Sequence, residues 1–180
     1  MRDAARTHLF SGERIVWEGK PYPGLVLRPI ELFLIPFSLL WAGFAIFWNV
    51  SVWTAGADLS FRLFGLPFLI VGLYATVGRF LIDIYLRKGT NYFVTNKRIL
   101  IARGGGGTKV KSLDIKRLPS VEFDERSDGS GTIRFGATGG LLSGANNFGI
   151  WQPTFDPTPQ FIRVPNVRSL YDLIQKQSDA

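Results

Sequence analysis

Two long uncharged stretches constrain this chain more than any other feature of its sequence. The first, Leu32 to Val50, contains 19 residues without a charged side chain. The second, Leu63 to Gly78, contains 16, and beyond Arg79 the apolar pattern continues to Leu86. A helix needs about 20 apolar residues to cross the hydrocarbon core of a bilayer. We therefore expect a hairpin of two transmembrane helices, at about 32–50 and 63–86.

The alternative to this hairpin is a pair of buried core helices in a soluble protein. A chain of 180 residues leaves too little protein to cover two such helices. The charges around the hairpin also favour a membrane. The loop from Ser51 to Arg62 holds only Asp58 and Arg62, whereas both flanking regions are basic. By the positive-inside rule both termini are expected in the cytoplasm, and the absence of cysteine agrees with that compartment.

Arg79 and Asp83 interrupt the second apolar stretch. They lie four residues apart, so a helix places them on one face, where they can form an ion pair. We expect this pair near the inner headgroups. A deeper pair with a relay role is the alternative, since charges inside a membrane often mark function. Two helices alone make a poor conduit, which disfavours a transporter.

Basic residues are concentrated directly after the hairpin. Between Arg87 and Arg117 there are nine lysines and arginines and one acidic residue. A juxtamembrane cluster of this kind is attracted to anionic headgroups by about 1 kcal/mol per charge. The candidate contacts for anionic lipid or a partner are Arg87, Lys88, Lys97, Arg98, Arg103, Lys109 and Lys111. Two alternatives are that these charges only set topology and solubility, or that they bind nucleic acid; the second ignores the neighbouring apolar stretches, and no nucleic-acid partner is expected.

Beyond Gly89 the apolar residues alternate with a period of two, which is typical of half-buried strands. Ile99 and Ile101 share one face, and Leu113 and Ile115 repeat the pattern. The segments "SVEFDE" and "TIRFG" flank the turn "RSDGSG" and predict two further antiparallel strands.

The C-terminal part predicts three further features. The glycine-, asparagine- and proline-rich stretch 136–160 is expected to be a long loop with a short strand or turn. A last strand is expected at 161–164. A helix follows, with Asn166 as its N-cap and Val167, Leu170 and Ile174 on one face.

No set of residues indicates catalysis. Gly104–Gly107 precede Thr108 and Lys109, but a phosphate-binding loop needs glycine directly before the lysine and Ser or Thr directly after it. The acidic residues 122–128 lack the ligand spacing of a calcium loop. There is no cysteine and one histidine. We therefore expect no enzymatic activity, cofactor, metal site or small-molecule substrate.

Four segments together resemble the bacterial pleckstrin-homology-like (PH-like) membrane proteins. They are "SGERIVWEGKP" ahead of the hairpin, "YFVTNKRILIARG" after it, "DGSGTIRFG", and "FIRVPNVRSLYDLIQ" near the end. The resemblance implies an α+β fold in which a split, partly open barrel of about seven strands is capped by a C-terminal helix. The expected division is an N-terminal segment 1–29, the hairpin 30–86 and a PH-like domain 87–180. "ERIVWEG" is either an additional strand of the barrel or a juxtamembrane tail.

These features predict a non-enzymatic, multi-pass protein of the bacterial plasma membrane, in contact with its inner leaflet. Its PH-like module is expected to bind a protein partner or to self-assemble. The alternative is a sensor of anionic lipid that uses the basic face of residues 87–117. Phosphoinositide recognition is not supported, because the nearest match to the motif of eukaryotic PH domains, Lys109-x-Lys111, lacks the closing arginine.

Overall fold

A computed structural model of the chain describes residues 9–104, 109–118, 120–136 and 158–179. These residues form an α+β structure with two antiparallel sheets, two long apolar helices and a C-terminal helix. The strands are β1 (Ile15–Gly19), β2 (Thr90–Thr95), β3 (Arg98–Arg103), β4 (Lys109–Asp114), β5 (Val121–Glu125), β6 (Gly131–Phe135) and β7 (Gln160–Val164). The helices are α1 (Glu31–Thr54), α2 (Leu59–Lys88) and α3 (Val167–Ser178).

Helices α1 and α2 are each long and apolar enough to cross a membrane, judged by length and composition. Both extend beyond the predicted 32–50 and 63–86, because the connection between them shrinks to residues 55–58. Arg62, expected in that loop, lies within α2 with its guanidinium 5.2 Å from the ring centre of Trp53. Midway along α2 the backbone widens into a π-helical turn at Tyr74–Gly78.

Small residues line the contact between α1 and α2. Ala42 of α1 is buried, and a Cβ added at Gly72 of α2 would lie 3.0 Å from the Cα of Ala42. Nearer the connection between the two helices, the Asn49 side chain donates a hydrogen bond to the Gly65 carbonyl at 3.0 Å. Close packing of small residues is how helices associate where lipid surrounds them.

Sheet A has the strand order β1-β2-β3-β4, and sheet B has the order β5-β6-β7. The segment "ERIVWEG", for which a strand and a juxtamembrane tail were both possible, forms strand β1. This strand pairs antiparallel with β2. The whole helical hairpin therefore connects two neighbouring strands of one sheet. The boundaries of the three predicted domains stay a prediction, but sheet A contains residues from both sides of the hairpin.

The main core lies between the two sheets and α3. The predicted inward residues Ile99, Ile101, Ile133 and Phe135 are confirmed, since all are at most 2% exposed. Strand β3 is not half-buried as predicted, because Leu100 on its opposite face is 1% exposed. The apolar face predicted for α3 is confirmed as well, since Val167, Leu170 and Ile174 are buried in the same cluster. Trp17 of β1 joins this core by stacking on Phe161 of β7, with ring centres 5.7 Å apart. Closure of the sheets into a barrel stays a prediction.

Two local predictions hold only in part. Strand β4 ends at Asp114, and Ile115 reaches the core from a 3₁₀ turn whose Lys116 N–H is bound by the Asp114 carboxylate. Asn166 occupies the N-cap position of α3 but has a left-handed backbone (φ 49°), and its side chain makes no capping bond. The first N–H of α3, on Val167, instead donates to the Gly129 carbonyl at 3.1 Å. The loop predicted at 136–160 lies largely outside the described residues.

Candidate functional site at the junction of the helices and sheets

Arg87, in the last turn of α2, binds the linker that joins β1 to α1. Its Nη1 donates to the Tyr22 carbonyl at 2.6 Å and its Nη2 to the Gly24 carbonyl at 2.9 Å. Its Nε donates to the Asp83 carboxylate at 2.8 Å. We call this arrangement of Arg87, Asp83, Tyr22 and Gly24 the Arg87 clasp. Because one buried guanidinium holds both segments, the linker is fixed to the end of α2.

A second ion pair lies next to the clasp. Arg79 of α2 forms a 2.8 Å ion pair with Glu31, the first residue of α1, and both side chains are buried. Arg28 of the linker also pairs with Glu31, at 3.3 Å. The structure thus shows Arg79 paired with Glu31 and Asp83 paired with Arg87. A direct pair between Arg79 and Asp83 stays a prediction.

The linker also contacts sheet B. The Tyr22 N–H donates to the Arg163 carbonyl at 3.2 Å, and the Arg163 guanidinium lies 4.3 Å from the centre of the Tyr22 ring. At the end of sheet A, the Gly104 N–H donates to the Gly89 carbonyl at 2.8 Å. Both sheets are therefore connected to the end of the hairpin.

The structure separates the predicted basic residues into groups with different surroundings. Arg87 is 2% exposed, which removes it from the candidate contact surface. Arg98 forms a bidentate ion pair with Glu13, with N–O distances of 2.8 and 2.9 Å. Lys97 is exposed in the turn between β2 and β3. Lys97 and Arg98 lie beyond the far end of β2, about 17 Å along the strand from where α2 ends.

The remaining predicted basic residues lie near the junction. Arg103, at the end of β3, pairs in register with Thr90 on one side and Lys109 on the other. Lys111 follows two positions along β4, so it shares the face of Lys109. Lys88 is the exposed last residue of α2. We call Lys88, Arg103, Lys109 and Lys111 the junction basic cluster.

Glu13 is a residue that the sequence analysis missed. Its carboxylate accepts hydrogen bonds from Arg98, from the Thr95 hydroxyl at 2.7 Å and from the Phe10 N–H at 2.8 Å. Burial acts to raise the pKa of Glu13, but these hydrogen bonds and the Arg98 charge outweigh it and leave the pKa below its ordinary value. No local pattern signals this contact, because 85 residues separate Glu13 from Arg98.

A surface depression of about 490 Å³ lies beside this ion pair. It is lined by Phe10, Asn96, Lys97, Arg98, Ser112, Asp114 and Lys116. The lining mixes cations with one carboxylate, and Arg98 also stacks 3.9 Å from the centre of the Phe10 ring. Among the described residues, no three potential metal ligands lie together. The Glu13–Arg98 ion pair thus binds the N-terminal segment to sheet A.

The hydroxyl group of Tyr92 is buried close to the junction. Its oxygen accepts a hydrogen bond from the Ile162 N–H at 3.1 Å, which links sheet A to sheet B. Burial raises the pKa of Tyr92 to about 12, against smaller opposing effects of that hydrogen bond and of Arg103 and Arg87. The hydroxyl therefore stays neutral at physiological pH and serves as a structural contact.

Comparison with known protein families finds one match over most of the chain. A family model described as "Bacterial PH domain" matches residues 30–178. The match includes both long helices, β2 to β7 and α3, and it begins after β1. Comparison with curated proteins and with solved structures finds no match.

Proposed function

This chain belongs to the bacterial PH domain family, and from that premise we propose that it presents a PH-like interaction module at the cytoplasmic surface of the bacterial plasma membrane. The module is non-enzymatic and binds a protein partner or a second copy of the chain. The observation that carries the proposal is the insertion of the apolar hairpin between the paired strands β1 and β2.

The surface of the hairpin supports its placement in a bilayer. Only 28% of the apolar stretch of α1 and 22% of that of α2 is buried within the protein. Large side chains such as Leu32 (86% exposed), Leu40 (74%) and Ile70 (66%) point outward. Contiguous apolar surface of this extent is not stable in water. Lipid chains are the cover that fits both the length and the composition of these helices.

The pairing of β1 with β2 supports the orientation. These strands lie at the two outer ends of the hairpin, so both ends lie on one side of any membrane that the hairpin crosses. The short connection at 55–58 then lies on the other side. The basic residues after α2 support a cytoplasmic location of the sheets, because the positive-inside rule favours lysine and arginine on that side.

The strand edges support an interaction module. Within the part of the chain that the structure describes, β4 is an edge strand of sheet A and β5 is an edge strand of sheet B. An edge strand offers backbone groups to which an extended peptide can add. Lys109 and Lys111 on β4 and Glu122, Asp124 and Glu125 on β5 are exposed charges that limit unspecific pairing.

Cysteine labelling tests the membrane placement, because the chain has no cysteine of its own. Single cysteines at Leu40 (in α1), Ala55 (in the connection) and Ser112 (on β4) are treated with an impermeant maleimide in vesicles of known orientation. We expect Ser112→Cys to react from the cytoplasmic side, Ala55→Cys from the opposite side, and Leu40→Cys from neither. Reaction of Leu40→Cys in native membranes, or of the other two from the same side, contradicts the proposal.

Site-specific photocrosslinking tests the interaction module. A photoreactive amino acid is placed at Ser112 on β4 or at Glu125 on β5, and the exposed Ser169 on α3 is the control position. We expect a discrete adduct from an edge position that survives high salt. An adduct of twice the chain mass indicates self-assembly, and another discrete mass indicates a different protein. Equal, diffuse adducts from all three positions contradict the assignment of the edges.

A second candidate function is the sensing of anionic lipid by residues 87–117. One observation favours it, which is that four of the predicted basic residues lie where α2 joins sheet A.

A further inference from the structure

We infer that the junction basic cluster contacts the phosphate-bearing headgroups of anionic lipids in the same bilayer that holds the hairpin. The inference rests on the proposed membrane placement of α1 and α2. It deepens that proposal by naming one ligand class and by selecting four residues, Lys88, Arg103, Lys109 and Lys111, from the basic set. It excludes Arg87, Lys97 and Arg98 from lipid contact.

The position of the cluster is the first reason. Lys88 ends α2 and Thr90 begins β2, and Thr90 is the register partner of Arg103. Arg103 is in turn opposite Lys109. Adjacent strands lie about 4.8 Å apart, so the backbones of Arg103 and Lys109 both lie within about 10 Å of Thr90. This distance is comparable to the screening length of about 8–10 Å in physiological salt, so a charged surface at the start of β2 still acts on both cations.

The arrangement of like charges is the second reason. Arg103 and Lys109 are directly opposite each other on neighbouring strands, and Lys111 lies on the same face. Like charges in directly opposite positions destabilise a sheet. An anionic layer offsets this repulsion, because each juxtamembrane cation near such a surface gains about 1 kcal/mol. The placement therefore gains from an anionic layer next to it.

Exposed apolar residues of the linker are the third reason. Tyr22, Leu25 and Leu27 are 43%, 47% and 49% exposed, and they precede the first turn of α1. Apolar residues beside cations are typical of segments that lie in a membrane interface. The Arg87 clasp holds the linker backbone at Tyr22 and Gly24. The linker and the basic cluster are therefore fixed to the same end of α2.

Arg98 and Lys97 have other surroundings. Arg98 is held by Glu13, and Lys97 donates to the Ser11 carbonyl at 3.4 Å. Both lie at the opposite end of β2. Lys97 and Lys116, which line the surface depression there, provide a matched control pair of exposed lysines.

The test uses the full chain in nanodiscs of phosphatidylcholine with added phosphatidylglycerol. Spin-labelled versions of each lipid report the relative affinity of the protein for the anionic one. We expect the wild-type chain to prefer phosphatidylglycerol and to lose the preference at high salt. The variant Lys88→Gln, Arg103→Gln, Lys109→Gln, Lys111→Gln is expected to reduce the preference at least about fivefold, the effect of one such charge. The Lys97→Gln, Lys116→Gln control is expected to keep it.

A charge-conserving variant keeps the test valid if the glutamine variant is unstable. Lys88→Arg, Arg103→Lys, Lys109→Arg, Lys111→Arg is expected to retain the preference. No preference in the wild type, an equal loss in the control pair, or an unchanged preference in the glutamine variant overturns the inference. Labelling of Leu40→Cys in the same nanodiscs separates the two proposals. If Leu40→Cys is protected and no lipid preference is found, only the lipid contact fails; if Leu40→Cys reacts, the membrane placement fails as well.

Discussion

Arg79 of α2 lies 2.8 Å from the carboxylate of Glu31, and each of these side chains is at most 5% exposed. Glu31 is the residue at which α1 begins, so the pair joins the start of one long helix to the other. Just beyond it, Arg87 joins the same helix to the linker. Buried arginines thus join the two long helices to each other and α2 to the linker.

Arg79→Ala is expected to destabilise the protein by about 3–5 kcal/mol, because it leaves the Glu31 carboxylate buried with less compensation. The measurement is the unfolding free energy of the purified full-length protein in detergent. The double variant Glu31→Gln, Arg79→Gln should cost less than the sum of its single variants. Additive effects would mean that the two side chains do not act as a pair.

Arg87→Lys is expected to loosen the linker, since an ammonium group cannot reproduce the planar fork that binds two carbonyls and a carboxylate. Hydrogen exchange at residues 22–27 should become faster, whereas exchange in the middle of α1 should not change. Lys88→Arg, at the exposed neighbouring position, is the control and should leave the linker protected. Equal exchange in wild type and Arg87→Lys would show that the clasp does not order the linker.

Gly72→Val is expected to separate α1 from α2, because even a Cβ at this position would lie 3.0 Å from the Ala42 backbone. Overpacking of this kind typically costs about 1–3 kcal/mol. A disulfide between cysteines introduced on the facing sides of the helices should form more slowly in the variant. Gly43→Val is the control, since a Cβ at Gly43 has nothing within 4 Å. Similar rates for the two variants contradict the close contact.

Acidification is expected to weaken the attachment of the N-terminal segment through Glu13. Its pKa in the folded protein is lower than its ordinary value of 4.5, so the folded state favours the charged carboxylate. The contribution to stability is therefore fully present above about pH 4.5 and is lost as pH falls through the lowered pKa. Glu13→Gln should be less stable at neutral pH and should lose this part of the pH dependence. Parallel stability–pH curves for the two proteins would argue against the assignment.

A fragment of residues 87–180 is expected not to form the native core, because it lacks β1 and the Trp17 ring that stacks on Phe161. Dispersed amide signals should be absent from its NMR spectrum and should appear when a peptide of residues 9–20 is added. The same peptide with Trp17→Ala should fail to restore them. A well-folded fragment without the peptide would show that β1 is dispensable.

Local sequence patterns predicted the structure correctly where pattern and burial coincide. Alternation predicted the inward faces of β3 and β6, and helical spacing predicted the buried face of α3. Local patterns did not predict the 3₁₀ turn after Asp114, where the carboxylate accepts from the Lys116 N–H. They also did not predict that Asn166 makes no side-chain cap and that the Val167 N–H donates to the distant Gly129 carbonyl instead. Charge pattern alone grouped Arg87 and Arg98 with the surface cations, because Tyr22, Gly24 and Glu13, which bind them, are distant in the sequence. Arg87 donates to Tyr22 and Gly24, which lie 65 and 63 residues away, and Arg98 donates to Glu13, which lies 85 residues away.

The sequence by itself determined the two apolar helices, the strands after them, the C-terminal helix and the family, because each depends on periodicity or on the order of motifs along the chain. Only the tertiary structure decided that β1 and β2 become neighbours across the hairpin. It also decided that Arg87 and Arg98 bind groups within the protein, whereas the junction basic cluster lies where α2 meets sheet A. The physical reason is that a charge has the same sequence signature whether it meets water, lipid or a buried carboxylate. Its role depends on which distant backbone and side-chain groups the fold brings within hydrogen-bond distance.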